Sequence, residues 1–197
     1  PSIAILDHWV NYEQRFVRGG RSVLPDRIVV TDAVAWERAV SAFPGIDVDL
    51  VENAYVDRIK SEVAKFESSS AGDVSTTSIL YLCEPLESDS NALNSYEEAA
   101  LRTFLELCQN MTGKRIRVIL KPHPTESASK FETFARRYGE LVSITHERDL
   151  APALVGTDAV VGHHSYAMYV AHEVGLPVFT TAAEEVVAKI LPTTGAL

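Results

Sequence analysis

The chain has 197 residues, 46% of them hydrophobic and 23% charged, which is the balance of a folded globule and excludes a disordered chain. Its net charge of −9, from 27 acidic against 18 basic residues, excludes a broad nucleic-acid surface but leaves room for one small basic pocket. Two cysteines, Cys83 and Cys108, are too few for a disulfide framework and read as buried free thiols. No apolar run reaches the roughly 18 residues that span a bilayer. No signal peptide is recognisable either, so a cytoplasmic protein is the expectation.

In chain order, Ile3-Ala4-Ile5-Leu6 reads as a buried strand. A chain that begins at Pro1, on the edge of a core strand, implies more protein upstream. Further strands are predicted over 28–31, 48–51, 78–83, 116–121, 141–145, 159–162 and 177–180. These runs are short and rich in Val, Ile and Leu, as strands buried on both faces of a parallel sheet are. Helical periodicity marks 33–42, 55–66, 95–111, 127–138, 165–174 and 182–190. In the helix over 95–111, Ser95 reads as the N-cap, and Leu101, Phe104, Leu105 and Cys108 form one apolar face. Strand–helix alternation of this kind predicts an α/β fold: a Rossmann-like parallel sheet with helices on both faces. The Ser-, Thr- and Gly-rich stretch 67–77 reads as a linker. It divides the chain into a partial unit at 1–66 and a fuller nucleotide-binding unit at 75–197.

Ligands of open α/β sheets bind beyond the carboxyl ends of the strands, and the unusual residues gather there. One strand runs into Leu120-Lys121-Pro122-His123-Pro124-Thr125. The prolines stiffen the loop and end the strand, leaving Lys121, His123 and Thr125 as a phosphate or carboxylate cradle, or else as a solvated turn. A second strand ends in Gly162-His163-His164-Ser165. Here Gly162 permits close backbone approach, Ser165 caps the following helix, and the helix start favours an anion. The alternative is a plain capped turn with one His packed and one exposed. A zinc site fits less well, because adjacent His side chains diverge and no companion set lies nearby, so no metal is expected.

A third strand ends in Cys83-Glu84-Pro85-Leu86-Glu87, where Glu84 reaches a sugar hydroxyl or an amine, or bonds to backbone N–H groups. The stretch Asp7-His8-Trp9-Val10-Asn11-Tyr12 offers acid–base groups in Asp7 and His8 and stacking surfaces in Trp9 and Tyr12. Its structural reading makes Trp9 core and Asp7 a helix cap.

These residues together resemble the carboxyl-terminal half of GT-B glycosyltransferases, and most closely the bacterial sialyltransferase and polysialyltransferase group. The resemblance rests on the Lys-Pro-His-Pro strand end, the Gly-x-x-Ser strand end, and the helix leading to Gly175-Leu176-Pro177-Val178. It is specific over 116–180, suggestive over 78–87 and loose over 1–51. It implies that His123 and Pro124 match the His-Pro motif and Ser165 the Ser motif, which hold the phosphate of a CMP-linked sugar. Lys121, Thr125, His163, His164 and Glu84 extend that donor site, with His123 and Asp7 as catalytic groups. CDP-glycerol glycerophosphotransferases share a similar loop and helix start.

Two departures qualify the likeness. Val170 stands where the retaining Glu-x7-Glu type carries its ribose-binding Glu, and no Asp/Glu-Asp/Glu-Gly motif supplies the catalytic base of the sialyltransferases. A GT-B enzyme needs two full domains, more than this length holds at ~100–200 residues each.

The resemblance therefore implies a surface-polysaccharide glycosyltransferase, or its donor-binding part. It would use a nucleotide-activated sugar and a glycan acceptor, with no further cofactor. Nucleic-acid partners and a transmembrane segment are not expected, and peripheral membrane contact stays open. The alternatives are a GT-B-like nucleotide-sugar epimerase, a glycerophosphotransferase, and a non-catalytic nucleotide-binding or assembly module.

Overall fold

The computed structural model describes residues 1–67, 75–84, 93–113 and 115–182. Most of the expected linker, the segment Pro85-Leu86-Glu87 and the helix expected over 182–190 lie outside the described residues, Ala182 excepted. The amino-terminal part runs β1 (Ile3–Ile5), α1 (Tyr12–Arg15), β2 (Val17–Arg18), β3 (Arg21–Ser22), β4 (Arg27–Val30), α2 (Ala33–Ala42), β5 (Asp47–Leu50) and α3 (Ala54–Glu67). There follow β6 (Thr76–Leu82), α4 (Leu93–Asn110), β7 (Arg115–Lys121), a 3-10 turn at Ala128–Phe131, α5 (Glu132–Tyr138) and β8 (Val142–Ile144). The described chain ends with α6 (Leu150–Leu154), β9 (Ala159–Gly162), α7 (Tyr166–Glu173) and β10 (Val178–Thr180).

The fold is α/β. Five parallel strands form one sheet in the order β10-β9-β6-β7-β8, and three more form a smaller parallel sheet in the order β1-β4-β5. In the large sheet the chain winds outward from β6 through β7 to β8, then returns to β9 on the other side of β6. The crevice between β6 and β9 is therefore the topological switch point, where such sheets open to receive ligands.

Side-chain alternation divides the large sheet's core in two. Tyr81, Val118, Leu120 and Val161 pack on one face against Leu101 and Leu105 of α4 and Phe131 and Phe134 at α5. Leu80, Leu82 and Val160 pack on the other face against α6 and α7. That second cluster also takes in Leu6, Trp9, Ile28 and Val30, so the two sheets share one continuous apolar core. Cys83 and Cys108 are both buried and free, and burial pushes the Cys108 thiol up to about 11.

Two expectations need correcting. β1 is not buried on both faces: Ile3 is 64% and Ile5 68% exposed, and only Leu6, just past the strand, is in the core. β1 is an edge strand, and its sheet packs on the face that carries Ile28 and Val30. The opposite face, with Ile3, Ile5 and an Arg27–Asp49 ion pair of 3.2 Å, stays open among the described residues. Second, α4 begins at Leu93, so Ser95 lies inside the helix and does not cap it.

Candidate functional site

Strand register builds the site. Lys121 of β7, Leu82 of β6, Gly162 of β9 and Thr180 of β10 stand side by side in one row across the sheet. Two residues beyond that row come His123, Glu84 and His164. β6 lies between β7 and β9, so the His123 and His164 strand ends are about 10 Å apart, two strand spacings, with Glu84 between them.

Glu84 and His164 form the central pair. Glu84 is buried, yet both carboxylate oxygens are engaged: Oε1 accepts the His164 backbone N–H at 2.8 Å, and Oε2 lies 2.8 Å from His164 Nδ1. Burial alone pushes the Glu84 carboxyl up. The two hydrogen bonds from His164, with its charge, outweigh burial and hold the carboxyl below its ordinary value. His164 is raised in turn, because the hydrogen bond to Glu84 outweighs the burial of its ring. The pair favours an ionised carboxylate and an imidazolium. Of the two readings of Glu84, the bond to a backbone N–H is present, that of His164, and its second oxygen meets the His164 ring.

His123 is oriented by its own loop. Its Nδ1 accepts the Thr125 N–H at 3.3 Å and lies 2.8 Å from Thr125 Oγ. With Nδ1 facing a backbone N–H, the neutral ring carries its proton on Nε2 and can donate from there. Thr125 thus positions His123, and Pro124 is exposed beside it.

Lys121 takes a different part from the one expected. Its side chain is buried and Nζ donates to the carbonyls of Glu147 and, at 3.2 Å, of Arg148. Burial lowers its pKa despite nearby Asp149 and Glu147. The ammonium fastens the loop after β8 and leaves the anion-binding set. Lys121→Met is therefore expected to lower stability by about 1–3 kcal/mol through two orphaned carbonyls, with ligand affinity unchanged. Urea denaturation beside nucleotide titration checks this, and a selective loss of affinity would return Lys121 to the site.

Ser165 is the N-cap residue of α7, as its extended backbone (φ −76°, ψ 156°) shows, but its hydroxyl makes no capping hydrogen bond. Ser165 Oγ is buried and has no partner among the described residues. A buried hydroxyl without a partner costs free energy; Glu126 Oε2 and Tyr138 OH are orphaned likewise, but of the three only Ser165 Oγ lies at the helix start that follows β9, beside the switch point. Gly162 has a structural reason: a Cβ there would meet Met168 Sδ at 2.9 Å. The close approach that Gly162 permits is that of α7 itself.

His163 stacks obliquely beside His164, with ring centroids 4.7 Å apart. Burial and the neighbouring His164 charge lower its pKa. Thr180 Oγ donates to the His163 carbonyl, a contact that local sequence could not show because it depends on the β9–β10 register. His8 joins from the small sheet. Its Nδ1 accepts the Trp9 N–H at 3.0 Å, so its neutral ring also presents Nε2–H. Burial, then the Arg15 charge, lowers its pKa, and it feels the charges of both His164 and Glu84.

The other amino-terminal candidates are engaged elsewhere. Asp7 is mostly exposed and gives its carboxylate to Arg15 at 2.8 Å, a hydrogen bond that holds it below its ordinary value. A carboxylate so stabilised is a weak base. It does not cap α1, whose N-cap is Asn11. Trp9 and Tyr12 are buried, which closes both faces to a sugar or base. Among the described residues, no group of three or more His, Cys, Asp or Glu is arranged to hold a metal ion.

Strand register and electrostatic coupling bring proton donors together at these strand ends: the rings of His123 and His8, the His164 imidazolium and the buried Ser165 hydroxyl at a helix start. Such a set suits an anion better than proton abstraction. No family model and no curated protein matches the chain.

Proposed function

We propose that this chain is the donor-binding portion of a bacterial surface-polysaccharide glycosyltransferase that uses a nucleotide-activated sugar, with a CMP-linked nonulosonic acid as the expected donor. The observation that carries the reading is the partnerless, buried Ser165 Oγ beside the His164 imidazolium. A donor phosphate seated at the start of α7 takes the hydroxyl as a partner once the Ser165 side chain turns outward from its buried position, and lies next to the His164 imidazolium in sequence. His123, across the crevice, stabilises the negative charge that grows on the phosphate as the sugar departs. The likeness of the His-Pro and Gly-x-x-Ser strand ends to the sialyltransferase group supports the choice of donor. Free, buried thiols suit the cytoplasm, where this reading places the protein.

A second reading, a phosphate-binding module without turnover of its own, is favoured by one observation. Asp7 and Glu84, the two acids the sequence singled out, are both tied to cations and so are poor bases for activating an acceptor. The same point weighs against an epimerase, which moves protons at the sugar.

Thermal denaturation with CMP, CDP, UDP and GDP tests the reading. A nucleotide at one hundred times its Kd adds about 2.7 kcal/mol, or roughly 5–11 °C for a chain of this size. CMP or CDP is expected to give the largest shift, and His123→Ala and Ser165→Ala each reduce it. No shift with any nucleotide overturns the proposal; an equal shift in both variants moves the site elsewhere.

A further inference from the structure

A second feature lies on the small-sheet side of the molecule. From Gln14 to Pro25 the sequence carries three arginines and no acid, in a chain of net charge −9. The segment folds as a hairpin of β2 and β3 around Gly19-Gly20, whose φ angles of 55° and 75° are those of a type I′ turn.

Arg18 and Arg21 stand directly opposite each other in that hairpin. Neither has an ion-pair partner among the described residues. Like charges facing across two strands destabilise a hairpin unless an anion lies between them. The Phe16 carbonyl accepts the Val23 N–H at 2.8 Å and continues the ladder, so Val23 shares the face of the two arginines. Val17, Val23 and Leu24 are 49%, 61% and 43% exposed. An open cavity of about 350 Å³ adjoins the arginine face, lined by Ser2, Arg15, Phe16, Arg18, Val23 and Leu24.

We infer that this hairpin docks the protein onto an anionic lipid surface. Lipid phosphates sit between Arg18 and Arg21, while Val23 and Leu24 enter the boundary between headgroup and acyl chain. The chemistry fits that boundary: guanidinium groups that pair with phosphate in two-pronged fashion, next to exposed branched apolar side chains on a protruding turn. The net negative charge of the whole chain keeps other faces away from such a surface, so the hairpin also sets the orientation of the crevice relative to it.

Co-sedimentation with vesicles of phosphatidylcholine alone, and with a third of phosphatidylglycerol, tests the inference. The full chain is expected to bind the anionic vesicles only, and to lose that binding as salt screens the arginines. Arg18→Gln with Arg21→Gln is expected to weaken binding on the order of thirtyfold. Leu24→Ser is expected to weaken it severalfold with the arginines intact. Equal sedimentation with both vesicles, or unchanged binding by the double arginine variant, overturns the inference. So does binding that Leu24→Ser leaves intact and soluble dextran sulfate abolishes, because the hairpin would then read a polyanion and not a lipid surface. Circular dichroism of each variant verifies the fold, which an exposed hairpin can lose without unfolding the shared core.

Discussion

Trp9→Ala is expected to cost about 3–5 kcal/mol, the range for emptying a large aromatic site in a packed core. Trp9 comes from the small sheet, but most of its ring contacts belong to α7 of the large one. It stacks on Tyr166 at 5.7 Å and 25° and meets Tyr169 edge-on at 4.8 Å. Its Nε1–H donates to Asp32 Oδ2 at 2.8 Å, while Asp32 Oδ1 caps α2 by accepting the Ala35 N–H. The substitution therefore opens a cavity between the sheets and leaves one carboxylate oxygen unpaired at a helix start. Asn53 Nδ2, which donates to Tyr166 OH at 2.8 Å, and the Lys60–Glu173 ion pair at 3.0 Å are polar ties across the same joint. Trp9→Phe keeps the stacking and loses only the Asp32 hydrogen bond, so it is expected to cost about 1–2 kcal/mol. Urea denaturation separates the two. A loss under 1 kcal/mol for Trp9→Ala would mean that this joint is not where the sheets hold together.

The joint also explains what local sequence could and could not reveal. The eight strand expectations correspond to β1 and β4–β10, because short Val-, Ile- and Leu-rich runs between turn residues survive any arrangement of neighbours. Burial did not transfer as well. Ile3 and Ile5 look like core residues, yet nothing among the described residues packs on their face of the edge strand. The hairpin of β2 and β3 went unpredicted because strands of two residues carry no measurable period, although Gly19-Gly20 is its turn signal. α6 is five residues long with Pro152 in its first turn, too short for a helical pattern to emerge. In the site, residue types at strand ends pointed to the right places. Their roles depended on register and on distant partners. Glu84 meets His164 eighty residues away, and Lys121 meets a loop beyond the next strand, so neither assignment is readable from the motif alone.

Glu84→Gln is expected to be the most informative change in the crevice, because it removes the charge that keeps His164 an imidazolium. At pH near 6 the variant should lose about 1–3 kcal/mol, less than a fully buried pair because the His164 ring is part-exposed. That loss corresponds to a fall in Tm of roughly 2–12 °C. The dependence on pH follows from both partners. His164 is raised above its ordinary 6.5, so its contribution is complete below that value and fades as pH rises through the folded value. Glu84 is depressed below its ordinary 4.5, so its contribution is present above that value and fades as pH falls through the folded one. The difference between wild type and variant should therefore peak in mildly acidic to neutral solution and shrink toward both ends. NMR titration of the imidazole should show the His164 pKa fall in Glu84→Gln. If the same crevice binds the donor phosphate, nucleotide affinity should follow the same basic limb: strong while His164 is charged, weaker above its pKa, and weak at all pH in the variant. A flat affinity profile in the wild type, with His164 titrating normally, would separate the ion pair from ligand binding and leave Ser165 and His123 to hold the phosphate without it.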